Sequence, residues 1–424
     1  MKRQYRVFPG WGVVAGAFLG NAMWSVVGLV VVGLFFKPMS EGLGWSRGAM
    51  SGAISLRSVT TALVGPFLGP KVDAWGPRPF VLVGAVTAGL ATASLAVVTE
   101  LWHFYILYGV ISAVALMGFG GLVMGTAVSK WFVRRRGRAL GLADLGSAMG
   151  VALLIPLAQW LISTLGWDGA WIALGALTTA IMFPAAFLTR RQPEDYGLQP
   201  DGLPGDDPPP AAGIEKTNDA SGLEPVWTRA QAIRTPVFWL LLLTFNISGL
   251  ALLGVVVHQI PHITDRGFST VQAATALSVW AVFSGISRVT FGFLAERIQI
   301  RYLIVVVMVG SAAGLALLLW LANLWVLYAF AVVYGLFRGA WVLMNTMVWA
   351  EYFGRRFLGS IRGVVMPFNV VSNAGGPLLA GSLFDIKDDY SLVLQVFIGC
   401  YLLAGLLAYL AKPPVFSFEA TSQG

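Results

Sequence analysis

The chain has 424 residues, 57% of them hydrophobic and only 11% charged, with 50 glycines, 16 tryptophans and a mean hydropathy of +0.75. A soluble protein of this size needs more polar surface, a disordered chain has fewer aromatics, and a disulfide scaffold needs more than the single Cys400. The net charge of +8 comes from 28 Lys+Arg against 20 Asp+Glu. It sits in short loops between apolar runs, which suits a membrane-flanking surface and argues against a nucleic-acid partner.

A helix needs about 20 mostly apolar residues to cross roughly 30 Å of hydrocarbon. Runs of that kind fall at 9–36, 47–70, 78–98, 102–129, 138–164 and 168–189, then at 236–260, 270–295, 301–321, 324–349, 360–384 and 389–411. They predict an all-α membrane protein of twelve transmembrane helices. Lys2, Arg3 and Arg6 precede the first run. No small-residue cleavage site follows, so that run is expected to stay as the first helix. Cys400 lies inside the last run and is expected to be a packed or lipid-facing thiol.

Alternate loops differ in charge. One side carries Lys71, Arg78, Lys130, Arg134, Arg135, Arg136, Arg138, Arg355, Arg356 and Arg362; the other has Lys37, Arg47, Arg266 and Lys387. The positive-inside bias puts the first side and both termini in the cytoplasm, in a plasma-membrane protein. Residues 190–235 interrupt the apolar pattern, and Gly205-Asp206-Asp207-Pro208-Pro209-Pro210 forms neither helix nor core. The predicted division is an N-terminal six-helix bundle at 1–189, a cytoplasmic linker at 190–235 that acts as a plain tether, and a C-terminal six-helix bundle at 236–424.

Landmarks recur across that division. Gly44-Trp45-Ser46 before the second run matches Gly267-Phe268-Ser269 before the eighth, and Gly69 and Asp73 match Gly292 and Glu296 at the same offset. Trp131-Phe132 and Pro156 find counterparts in Tyr352-Phe353 and Pro377. Two parallel repeats around a central cleft fit this pattern.

Together with Arg134-Arg135-Arg136-Gly137, Ser284-Gly285-Ile286-Ser287-Arg288 and Leu358-Gly359-Ser360-Ile361-Arg362-Gly363, these landmarks resemble the major facilitator superfamily over nearly the whole chain. The nearest resemblance is to the monocarboxylate transporters and oxalate/formate antiporters. It implies a small organic anion carried by alternating access, with the anion-binding arginine of that family falling on Arg288. Four residues earlier, where relatives often have an acid, stands Ser284; span eleven has no central lysine and offers Asn369, Ser372 and Asn373.

Arg288, Arg57 and Arg338 fall inside spans, where a guanidinium facing lipid is costly, so each is expected to face protein or water. All three are candidate substrate contacts; structural bonding is the competing reading for Arg57 and Arg338. Asn21, Trp24, Tyr334, Asn369 and Asn373 are further candidates, as are Asn246 and Asn345, because buried amides and hydroxyls demand partners. Asp144, inside span five, is a candidate proton carrier or an ion-pair partner. Asp73 and Arg78, with Glu296-Arg297 as their counterpart, are candidate gate residues. His258 and His262 share a helical face but lack a zinc signature and read as ordinary surface residues. Gly118, Gly120, Gly121 and Gly125 let helices approach closely and form no phosphate loop.

The expected activity is secondary transport of a mono- or dicarboxylate by a chain functional as a monomer in lipid, with a proton as candidate co-substrate. No enzyme chemistry, cofactor or metal is expected. The competing readings are efflux of a larger amphipathic compound and a non-transporting receptor or scaffold.

Overall fold

The computed structural model describes residues 8–202, 225–387 and 389–414. Lys2, Arg3, Arg6 and the 205–210 stretch fall outside the described residues, as do the side chains of Arg47 and Lys387. The long helices in chain order are α1 (Gly10–Leu43), α2 (Arg47–Trp75), α3 (Arg78–Val97) and α4 (Leu101–Trp131). A 50-residue segment, Arg136–Ala185, breaks at Gly166, whose φ of 75° only glycine adopts readily, into α5 (136–165) and α6 (167–185). A short helix, Arg229–Arg234, leads into α7 (Pro236–Asp265), followed by α8 (Thr270–Leu294), α9 (Ile300–Leu319), α10 (Leu324–Phe353), α11 (Leu358–Lys387) and α12 (Ser391–Leu410).

Nine helical segments among the described residues are long and apolar enough to cross a membrane, the Arg136–Ala185 segment counting as one. The twelve-span reading treats that segment as two and adds α2 and α11, whose glycines, prolines and hydroxyls lower their hydropathy. Exposed Leu63, Phe67, Val83, Leu90, Val371 and Leu378 form part of an apolar exterior. Such a surface belongs in lipid, and the protein is multi-pass.

The repeated Gly-aromatic-Ser landmark has a local physical meaning. Gly44 (φ 70°) and Gly267 (φ 87°) turn the chain out of α1 and α7. Ser46 then caps α2 by accepting from Ala49 N at 3.1 Å, and Ser269 caps α8 by accepting from Gln272 N at 3.2 Å. The same chemistry therefore launches both cleft-lining helices.

Helices α1–α6 pack largely on one another, through α1 on α5, α2 on α4 and α3 on α6. Helices α7–α12 do likewise, through α7 on α11 and α12, α8 on α10, and α9 on α10 and α12. The two sets meet along α2–α11 and α5–α8. Both seams are built on glycine: a Cβ on Gly69 would lie 2.1 Å from the Gly359 carbonyl oxygen, and one on Gly137 would lie 2.0 Å from that of Gly292. These contacts lie on the side of the basic loops. Further along the same helices, Gly285 and Gly381 have nothing within 4 Å of their Cβ positions, nor does Gly33 of α1. The sets are closed against each other at the basic-loop side.

The plain-tether expectation for 190–235 needs correcting at both flanks. Asp201 (φ 61°) accepts from the backbone N–H groups of Val133, Arg134 and Arg135 at 3.1, 2.8 and 3.0 Å. Glu194 bonds Arg355, and Trp227 N donates to Phe353 O at 3.2 Å. Carboxylates and one aromatic thus tie the flanks to the loops of both sets.

Candidate functional site

Two latches hold the basic-loop side shut. Asp73, at the end of α2, accepts from Gly359 N (3.1 Å), Ser360 N (2.7 Å) and Ser360 Oγ (2.8 Å) at the start of α11. Its other partner is Lys130 Nζ, at 2.9 Å within its own set. A carboxylate on bare N–H groups at a helix start complements the partial positive charge there. Glu296, just beyond α8, takes the equivalent place against α5: Oε1 accepts from Arg138 Nε and Oε2 pairs with Arg138 Nη2, both at 2.7 Å. The sequence repeat that pairs Asp73 with Glu296 is therefore realised as one latch used twice.

The other two gate candidates lie apart from these bonds. The Arg78 guanidinium stacks 4.6 Å from the Phe187 ring within its own set, and Arg297 is solvent-exposed. Sequence reasoning missed the latch partners Lys130, Arg138 and Arg355, because all three read as generic loop cations. Arg355 spans the sets by donating to Lys130 O at 2.8 Å.

Above the latches, between the sets, lies a cavity of about 220 Å³ lined by Asn21, Trp24, Asp144, Asn345, Arg362 and Asn369, with Gly121, Gly125, Ser147, Thr346 and Trp349. A larger cleft of about 670 Å³ sits at the basic-loop surface around Asp73, Lys130, Arg191, Glu194 and Arg355. It belongs to the latch region; the smaller cavity is the one enclosed between the membrane helices.

A break in α4 helps build the cavity. Residues 118–120 are non-helical, and a helix restarts over Gly121–Trp131 with Gly120 as N-cap and no side-chain cap bond. The glycine cluster that the sequence assigned to close helix packing interrupts a helix here. A half-helix start facing a cavity presents unpaired backbone N–H groups to it.

Asp144 is the one acid in the lining. Its Oδ1 accepts from Asn21 Nδ2 at 3.1 Å, and the same Nδ2 donates to Ala143 O at 3.0 Å. Its Oδ2 is buried without a hydrogen-bond partner. Two guanidiniums, Arg288 and Arg362, act electrostatically on this carboxylate. They do so differently. Arg288 donates Nη1 to the backbone oxygen of Asp144 at 2.7 Å from the α5–α8 seam and does not line the cavity. Arg362 does line it, and donates Nη1 to Gly121 O at 3.1 Å.

Of the sequence-derived substrate contacts, the structure brings Asn21, Trp24 and Asn369 together in the lining. Arg57 lies elsewhere: its guanidinium is 5.2 Å from the Tyr108 ring, against Gly28, and Nη1 has no hydrogen-bond partner. Arg338 stacks 4.9 Å from the Trp280 ring. Tyr334 is fully buried where α9, α10 and α12 pack, its hydroxyl 3.0 Å from that of Tyr401, and is not among the lining residues. Asn373 sits against Gly249 of α7. Asn246 donates to Leu242 O in its own helix at 2.7 Å. The histidines differ from the surface reading. His262 is buried with Nε2 3.1 Å from Leu318 O, and His258 lies between the Tyr390 hydroxyl and Pro377 O at 3.1 and 3.2 Å.

The model of the Major Facilitator Superfamily matches residues 10–377 and 260–422. The chain belongs to that superfamily. Among its relatives, human monocarboxylate transporter 11 is 30% identical over 95% of this chain and 83% of its own length. Monocarboxylate transporter 12 of Rattus norvegicus is 27% identical over 90% and 81%. Solved superfamily structures share the fold. The E. coli fucose:proton symporter superposes with a TM-score of 0.70 at 12% identity, covering 96% of this chain and 99% of the symporter. A human organic anion transporter gives 0.68 at 16%, covering 94% and 99%. As a superfamily member resembling the monocarboxylate transporters, the chain is a membrane transporter by family.

Proposed function

We propose that the protein is a secondary transporter of a small organic anion, a mono- or dicarboxylate, working by alternating access between N- and C-terminal six-helix halves. The observation that carries the reading is the central cavity: small, bounded by both helix sets, and with a guanidinium in its wall. Its volume is near seven times the ~30 Å³ that one water occupies in the liquid. That suits a solute of a few heavy atoms and not a bulky amphipathic compound. Arg362 in the wall and Arg288 behind it outnumber the single carboxylate of Asp144. The uncapped half-helix start at Gly121 adds to the same sign.

With the basic loops in the cytoplasm of a plasma-membrane protein, the latched conformation is the outward-facing one. Release of Asp73 and Glu296, with closure of the far side, gives the opposite state. Asp144 is the proton-carrying candidate. Counterflow in proteoliposomes with mono- and dicarboxylates, set beside organic cations of similar size, tests the reading. Exchange of at least one carboxylate is expected; transport confined to cations would end it.

A further inference from the structure

Within the anion reading, on which this inference rests, we propose that Arg362 grips the transported carboxylate. Arg362 is the only cation among the cavity-lining residues. A guanidinium carries five N–H donors in a planar fork. At Arg362 one hydrogen bond to protein is formed, to a single backbone carbonyl, and no carboxylate among the described residues lies within ion-pair distance. Its donors are therefore available to an incoming carboxylate, which a guanidinium binds through two parallel bonds. Arg288 is placed differently. Its Nη1 is committed to the Asp144 carbonyl, its Nε is enclosed without a partner, and its own backbone oxygen presses on Gly141 across the seam.

The location of Arg362 gives its grip a consequence. It belongs to the start of α11, with Gly359 and Ser360, whose N–H groups the Asp73 latch holds. Its one bond crosses to Gly121 in the opposite helix set. A carboxylate that draws the guanidinium off Gly121 removes a cross-set bond and displaces the helical turn on which the stronger latch depends. Substrate favours the unlatched state only to the extent that it binds more tightly there. The exchange of Gly121 carbonyl for substrate carboxylate supplies that difference.

The test uses the full chain in proteoliposomes with radiolabelled pyruvate, lactate, oxalate and malonate. For each carboxylate the wild type exchanges, Arg362→Lys should keep exchange with KM raised about ten-fold, since a point charge replaces a bidentate fork. Arg362→Gln should lose about 100-fold or more in kcat/KM, the scale of a lost charged contact. A second readout avoids dependence on the folding of the glutamine variant. In a Cys400→Ala background, Arg362→Cys should lose exchange and regain it when a cationic methanethiosulfonate reagent restores a positive charge there. Wild-type KM in Arg362→Gln, or no regain of exchange in cation-labelled Arg362→Cys, overturns the assignment while leaving the anion reading standing. A wild type that exchanges none of the four refutes both.

Discussion

Replacing Asp73 by Asn should open the protein toward the basic-loop side. The Asp73 carboxylate has four partners in the closed form, but only the three bonds to Gly359 and Ser360 cross between the helix sets. The 2.9 Å pair with Lys130 lies within one set and survives opening, so it largely cancels. Asn keeps one acceptor oxygen for α11 and loses the charge. A hydrogen bond to a charged group contributes about 1.5–3 kcal/mol, and breaking a buried ionic contact leaves uncompensated charge. Both side chains are nearly sealed, at 7% and 4% exposure, so little solvent screening reduces the effect. The buried Lys130 ammonium would then face the positive end of α11 without its carboxylate, which acts in the same direction. A loss of roughly 2–3 kcal/mol for the closed form follows, a shift of about 30- to 150-fold in the equilibrium. The assay is a single cysteine at the cavity residue Met366, in a Cys400→Ala background, labelled by an impermeant maleimide from either face of oriented proteoliposomes. With Asp73 intact, labelling should come from the far face; with Asp73→Asn it should appear from the basic-loop face. Labelling that stays confined to the far face would refute the latch.

The sister latch should be weaker. Glu296→Gln breaks two 2.7 Å contacts, but the Arg138 side chain is 37% exposed, so screening reduces the loss to about 1 kcal/mol and the shift in the same labelling assay to about five-fold. Gly137→Ala would drive a Cβ into the Gly292 carbonyl and should favour basic-loop opening by about 1–3 kcal/mol, read as maleimide labelling from that face. Asp144→Asn should abolish uptake driven by a pH gradient while counterflow at equal pH continues; unchanged pH-driven uptake would remove Asp144 from proton coupling. Tyr334→Phe leaves the buried Tyr401 hydroxyl without its partner and should cost about 1–2 kcal/mol in thermal stability with unaltered exchange kinetics.

The helices were readable from composition because lipid imposes length and apolarity on each crossing. The repeat was readable because caps and close backbone contacts need particular residues: Ser46 and Ser269 at helix starts, Gly69 and Gly292 at the seams. Cation roles were harder to read. Arg362 follows Arg355 and Arg356 closely and stands at the very start of the 360–384 run, so charge counting groups it with the loop. Only the crossing of α11 over the break in α4 brings it to the cavity. Arg288 is legible from its mid-span position, but its Nη1 bond to the Asp144 backbone oxygen is not. Nothing local in the sequence marks which seam a side chain enters. The same holds for Asp201, whose three backbone bonds depend on a chain reversal that hydropathy does not record.

The unequal burial of the two latches bears on how such a protein can cycle. Identical strong latches would hold the closed form beyond the reach of any small solute, since a ligand moves an equilibrium only by its differential affinity. Two exposed latches would leave the gate open without a ligand. Here the α5–α8 latch is wet and contributes little, and the α2–α11 latch is dry and sets the threshold. A bidentate carboxylate–guanidinium contact contributes free energy of the same order as the Asp73 bonds it must help undo. Placing Arg362 beside those bonds on α11 lets one small ligand act where the barrier is concentrated. Strengthening the exposed latch should therefore slow exchange less than shielding Asp73 further would.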